Sequence, residues 1–245
     1  MNKITIAFVG KINEAYDSYS KVQEAVKYTA SSLNVLVDIL WLDSTIINKS
    51  NVEAKLESAN GVILLGGFGE NGTEGMIETA KYARENNVPL LGICLGMQII
   101  VIEFARNVLG YENATSTEFD QKTPYPVVDR VVDQSKITDK SKRMSNGIFP
   151  CVLSKNSLAY SIYKSAIIEE CFRHGYEFNT KYKKEYLDHG MRLSGTSNNH
   201  QSIDVVEIPA NTFYLGVQFH PEFKSTISKP HPLFVGLIGC VLNKK

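Results

Sequence analysis

What this 245-residue chain lacks narrows it first. It has four cysteines, Cys94, Cys151, Cys171 and Cys240, with no Cys-x-x-Cys pair and no zinc spacing, so neither a disulfide framework nor a metal centre is expected. It has no charge excess: 26 lysines and arginines face 26 aspartates and glutamates, so no net field draws it to nucleic acid or an anionic membrane. No apolar run approaches the length needed to cross a bilayer, and Met1 to Ile6 enters a strand pattern without a signal-peptide layout. Internal repeats and low-complexity linkers are missing too. These absences leave a cytoplasmic protein with reduced thiols, no cofactor, and a small molecule as its substrate. The length is ample for a buried core and is read as a single domain, residues 1–245.

What is present is an alternation. Apolar runs at Ile4–Val9, Val35–Trp41, Gly61–Leu65 and Val88–Ile93 read as strands. Between and after them lie helical patterns, the first with Val22, Ala25, Val26 and Ala30 on one face, the others near 52–59, 74–85 and from Met97 onward. This βαβαβαβα order builds an α/β fold, a central mostly parallel sheet flanked by helices. After Gly110 the texture changes. Strand-like runs at 127–132, 166–172, 191–194, 204–208 and 213–219 alternate with short helices at 157–164 and 181–189, giving a smaller antiparallel region. A last apolar helix, 233–242, is expected to pack back on the sheet, and the polar stretch 133–146 reads as a surface loop.

Two stretches carry chemistry. In Leu90-Leu91-Gly92-Ile93-Cys94-Leu95-Gly96-Met97-Gln98 a cysteine sits between a strand and a helix, flanked by small residues, on the sharp turn that presents a nucleophile. The helix N-terminus favours its thiolate. In Gly216-Val217-Gln218-Phe219-His220-Pro221-Glu222-Phe223 a histidine arrives at a strand end with a carboxylate two residues on. His220 and Glu222 are then a base and its orienter for Cys94. Gly66-Gly67-Phe68-Gly69 follows another strand, and the amides of Gly67 and Leu95 are assigned as oxyanion donors.

Together the Gly92–Gln98 and Gln218–Phe223 motifs resemble the class I (triad) glutamine amidotransferases, whose fold is flavodoxin-like. Further matches at Gly67–Met76, Ala83–Asn87 and Ser116–Phe119 are similar to the glutaminase domains of the CTP synthase family. The resemblance covers nearly the whole chain. It implies hydrolysis of a γ-carboxamide through a γ-glutamyl thioester on Cys94, with ammonia released. By position, Gly67, Phe68, Leu95, Gln98 and Glu118 would line the substrate pocket, Glu118 facing the α-ammonium.

Three departures from the family pattern qualify this. The chain starts directly on the glutaminase-like part, so a synthetase or other ammonia acceptor is expected only in trans. The family's Gly-Gly-Thr-Met-Arg-Leu-Gly stretch is replaced near Arg143–Phe149, and its proline before the oxyanion glycines is Leu65. The arginine that clamps the α-carboxylate is Gly175, within Phe172-Arg173-His174-Gly175-Tyr176-Glu177-Phe178-Asn179. Read as one strand, this puts Arg173 on the same face as Gly175, about 6 to 7 Å along, as a replacement clamp. Gly175 could instead make room for a different amide, such as a γ-glutamyl compound. Altered specificity, loss of turnover, and a split CTP synthase are the rival readings, and pyrimidine biosynthesis is the implied setting.

Overall fold

The computed structural model describes residues 2–12, 17–130, 145–197 and 201–244. Twelve strands and seven α-helices follow one another in the described residues. The first half runs β1 (Lys3–Gly10), α1 (Asp17–Ser32), β2 (Leu36–Asp43), α2 (Val52–Leu56), β3 (Gly61–Leu64), α3 (Thr73–Glu85), β4 (Leu90–Ile93) and α4 (Leu95–Asn107). The second half runs β5 (Ala114–Ser116), β6 (Tyr125–Arg130), β7 (Ser145–Leu153), α5 (Leu158–Tyr163), β8 (Ile167–His174), β9 (Tyr176–Phe178), α6 (Lys183–Asp188), β10 (Arg192–Ser197), β11 (Ser202–Glu207), β12 (Tyr214–Val217) and α7 (Pro232–Asn243).

Nine strands form one sheet in the order β2-β1-β3-β4-β12-β11-β10-β7-β8; β5, β6 and β9 form a second. The α/β expectation holds. The central sheet, though, is parallel only through β12, and β11, β10, β7 and β8 extend it antiparallel. The second-half strands are thus mostly a continuation of the central sheet. Strand β7 had no reading of its own, because it opens in a polar segment. The loop expected over 133–146 lies outside the described residues up to residue 144.

Alternation along each buried strand assigns the helices to two layers. In β1, Ile4, Ile6 and Phe8 pack with Val22 and Val26 of α1 and Leu233, Leu237 and Val241 of α7. Ala7 and Val9 face the other way, with Met76 and Ala80 of α3 and Met97 and Ile100 of α4. Both faces of β1, β3 and β4 are therefore covered, and these strands are near-continuous apolar runs. The last helix packs where its apolar face requires. A buried ion pair ties α3 to α4: Arg84 donates from Nε (3.0 and 3.1 Å) and Nη2 (2.8 Å) to the fully buried carboxylate of Glu103.

The register of the middle strands decides the site. Leu64 pairs with Gly92, and Ile93 with Val217. The carboxyl ends of β3, β4 and β12 therefore lie side by side at strand spacing, about 4.8 Å apart, where sites of open α/β sheets gather. Among the described residues no helix is long and apolar enough to cross a membrane.

Candidate active site

The residue after β4 is Cys94, with φ 53° and ψ −104°. A non-glycine residue at positive φ is strained, and such strain persists only where surroundings enforce it. Here they do. Cys94 N–H donates to Val217 O of β12 (2.8 Å), while Cys94 O accepts the first backbone bonds of α4 from Met97 (3.1 Å) and Gln98 (3.3 Å). The turn needs glycine on both sides: a Cβ at Gly92 would lie 2.7 Å from the Gly96 backbone, and one at Gly96 would lie 2.3 Å from Leu64 O.

Three residues beyond β12 stands His220, whose N–H is held by Cys171 O of β8 (2.8 Å). Its Nδ1 meets Glu222 Oε1 at 2.7 Å, with both side chains nearly buried. Burial by itself disfavours the imidazolium. The charge of Cys94 and a hydrogen bond to it, then the bond to Glu222 and its charge, outweigh that and raise the pKa of His220 well above its ordinary value. Gly66 closes the space between them, since a Cβ there would touch His220 Cε1 (3.4 Å) and Cys94 Cβ (3.6 Å). A sulfur and an imidazole 126 positions apart in sequence thus meet above one sheet edge.

These groups open on a cavity of about 300 Å³ lined by Asp17, Ser18, Gly67, Phe68, Cys94, Arg173, His220 and Phe223. Gly67 and Phe68 are there as expected, and Gly67 packs against Leu95, whose Cδ2 would be 3.3 Å from an added Cβ. Leu95 is the first residue of α4, so its N–H has no preceding helical carbonyl to bond and remains a donor toward the turn. Gln98 is 4% exposed and lies behind the wall, its Nε2 donating to Tyr176 O (2.8 Å) and Gln218 Oε1 (3.4 Å).

Glu118 reaches the site through a loop. Its Oε1 accepts the N–H of Gly69 (2.9 Å), the residue whose φ of 77° turns the chain after Phe68. Burial pushes the Glu118 carboxyl up, against the pull of that bond. The contact present is with the loop carrying Gly67 and Phe68.

The Arg173–Gly175 expectation needs correcting. Residues 172–179 are not one strand: β8 ends at His174 in the large sheet, and β9 begins at Tyr176 in the small one, with Gly175 at the break. The pleat argument that put Arg173 and Gly175 on one face therefore does not apply. Arg173 lines the Cys94 cavity all the same, while Gly175 is not among its lining residues.

Sequence reasoning missed Asp17, Ser18 and Phe223 as lining residues. Asp17 and Ser18 begin α1, and nothing local in the chain announces that this end points at the cysteine. Gln218, in the same motif as His220, has no role predicted from the sequence, yet its Nε2 lies 3.8 Å from Cys94 Sγ. Among the described residues no cluster of three or more histidines, cysteines or carboxylates could hold a metal ion.

Comparison with known proteins gives the family and the fold. The Glutamine amidotransferase class-I family matches residues 14–240. The glutaminase domain of Trypanosoma brucei CTPS with bound acivicin superposes with a TM-score of 0.91 at 35% identity, over 99% of this chain and 95% of that one. A Clostridium beijerinckii CTP synthase is 44% identical over 243 residues, 99% of this chain and 45% of its own length. One from Flavobacterium johnsoniae is 43% identical over 240 residues, 98% and 45%. The chain thus spans about half the length of these curated relatives. A glutamine amidotransferase from Thermotoga maritima shares the fold (TM-score 0.57, 16% identity, 98% of this chain and 97% of that one). With its cysteine elbow, buried His220–Glu222 pair and near-complete overlay on a CTPS glutaminase domain, this chain belongs to the glutamine amidotransferase class-I family.

Proposed function

We propose that this protein is a cysteine-nucleophile glutaminase that cleaves the γ-carboxamide of glutamine, or of a γ-glutamyl compound, and releases ammonia. The observation that carries the reading is Cys94 and His220 lining one cavity, with Glu222 buried behind His220 Nδ1 and the imidazole's charged form favoured by its neighbours.

In this reading the Cys94 thiolate attacks the amide carbon and the C=O electrons move onto oxygen. The N–H groups of Gly67 and Leu95 receive that oxyanion; one such donor lowers the barrier by about 2.7 to 4 kcal/mol. His220 delivers its proton to the departing nitrogen, the C–N bond breaks, and a γ-glutamyl thioester and ammonia result. Water, deprotonated by His220, then cleaves the thioester. Glu222 holds Nδ1 and so fixes which ring nitrogen exchanges the proton. Phe68, Gln98, Glu118 and Arg173 shape the pocket for the amino-acid end, Glu118 by securing the oxyanion loop at Gly69. No cofactor or metal enters.

The break at Gly175 favours a broader substrate range. A charge-assisted clamp on a carboxylate contributes about 1.5 to 3 kcal/mol, so glutamine loses roughly 10- to 150-fold in affinity unless Arg173 supplies it from β8. The ammonia acceptor is a synthetase-type domain or protein, and the setting is cytoplasmic pyrimidine biosynthesis.

Mass spectrometry after treatment with a glutamine-mimetic chloroketone or diazoketone tests the proposal. One adduct on Cys94, absent in Cys94→Ala, is expected; an unmodified wild-type protein overturns it. Gly175→Arg tests the substrate. A tenfold or greater rise in glutamine hydrolysis points to a different native amide, and a matching fall in Arg173→Ala, not an unchanged Gly175→Arg, assigns the clamp to Arg173.

A further inference from the structure

The register that aligns Ile93 with Val217 sets Cys94 level with Gln218, the residue that follows each strand. Three polar groups consequently reach the sulfur: the His220 imidazole, the Arg173 carbonyl and the Gln218 carboxamide. The first two pull in opposite directions. Arg173 O, at 3.8 Å, accepts from S–H and would repel a sulfur anion. His220 attracts that anion. Gln218 Nε2, also at 3.8 Å, can only donate, and a donor favours the charged form.

Gln218 is fully buried and its orientation is set from behind. Its Oε1 accepts from Gln98 Nε2 at 3.4 Å, and the same Nε2 donates to Tyr176 O at 2.8 Å. An amide rotated by half a turn would place Oε1 against the sulfur and Nε2 against the Gln98 N–H, two unfavourable pairings at once. The relay Tyr176 O, Gln98, Gln218, Cys94 Sγ is therefore polar in one direction only. It runs from the break between β8 and β9, next to Gly175, to the nucleophile.

We propose that Gln218 is a further catalytic residue of this site, one that donates an N–H to the Cys94 sulfur and offsets the Arg173 carbonyl, with Gln98 as the positioning residue that holds its amide. The inference deepens the proposed amide hydrolysis, but its test does not depend on that reaction, because alkylation of a thiol requires only the thiolate.

The experiment follows iodoacetamide labelling of the Cys94 peptide by mass spectrometry from pH 5 to 10 in wild type, Gln218→Met and Gln218→Glu. In Gln218→Met, loss of the donor displaces the profile upward by about one pH unit, so that labelling is roughly tenfold slower on its acid limb, with an unchanged alkaline plateau. Gln218→Glu, which points an acceptor at the sulfur, is displaced further. A folded Gln218→Met with the wild-type profile overturns the proposal, as does a Gln218→Glu that restores it. Should neither variant fold, Gln98→Met leaves Gln218 without its anchor: a smaller upward displacement supports the assignment, and an unchanged profile refutes it. A protein that labels on Cys94 yet releases no ammonia from any γ-amide would refute the hydrolase reading and leave this one standing.

Discussion

Replacing Glu222 with glutamine tests the electrostatic core of the site while keeping its shape. Glu222 Oε1 lies 2.7 Å from His220 Nδ1, and the two side chains are 1% and 8% exposed, so water screens the contact little. A hydrogen bond to a charged group contributes about 1.5 to 3 kcal/mol. At about 1.36 kcal/mol per tenfold, that predicts a loss of roughly 10- to 150-fold in kcat/KM for glutamine, with Cys94 alkylation still observed. A signature in pH accompanies it. The pKa of His220 is raised on folding, so its contribution to stability is complete below the ordinary value of 6.5 and is lost as pH climbs through the raised one. The variant lacks the Glu222 share of that contribution, so its deficit in Tm is steady at lower pH and shrinks only as pH climbs toward about 11. Steady-state ammonia release at neutral pH and thermal melts from pH 6 to about 11 measure both. A kcat/KM within twofold of wild type, or a Tm deficit that does not shrink at the alkaline end, would refute the reasoning.

Two stability predictions follow from buried charge. Glu103→Ala strands Arg84 beside a fully buried position and should cost about 3 to 5 kcal/mol in urea unfolding, whereas removing both partners in favour of leucine and methionine should cost far less; equal losses would contradict the pairing. Asp204, 1% exposed, has its carboxyl pushed up from 3.8 to about 6, first by burial, with Ser197 hydrogen bonding opposing. An acid raised on folding lowers stability as pH rises through that interval, so Asp204→Asn should be more stable than wild type by up to about 3 kcal/mol at pH 7.5 and equal near pH 3.5; a difference independent of pH would refute this.

Much of the site was legible because its chemistry is carried by contiguous residues. A strand run, a cysteine and a helical spacing in Leu90–Gln98 fix a turn without long-range help, and the short reach from His220 to Glu222 is built into a two-residue separation. The clamp region was misread for the complementary reason. From Phe172 to Asn179 the residues alternate well enough for one strand, yet β8 and β9 join different sheets, a choice made by their hydrogen-bonding partners Ser145–Val152 and Val128–Arg130. Glu118 entered only as a partner for the α-ammonium implied by the family resemblance; its bond to Gly69 spans 49 positions and has no local signature.

By itself the sequence determined the alternating elements of the parallel half, the two-layer burial and the candidates for the reacting groups, because periodicity and turn residues act over a few positions. Only the tertiary structure decided that β12, late in the chain, pairs beside β4, since that pairing is a competition among strands for hydrogen bonds and buried area. That single choice of neighbour sets Gln218 level with Cys94 and brings His220 to the sulfur.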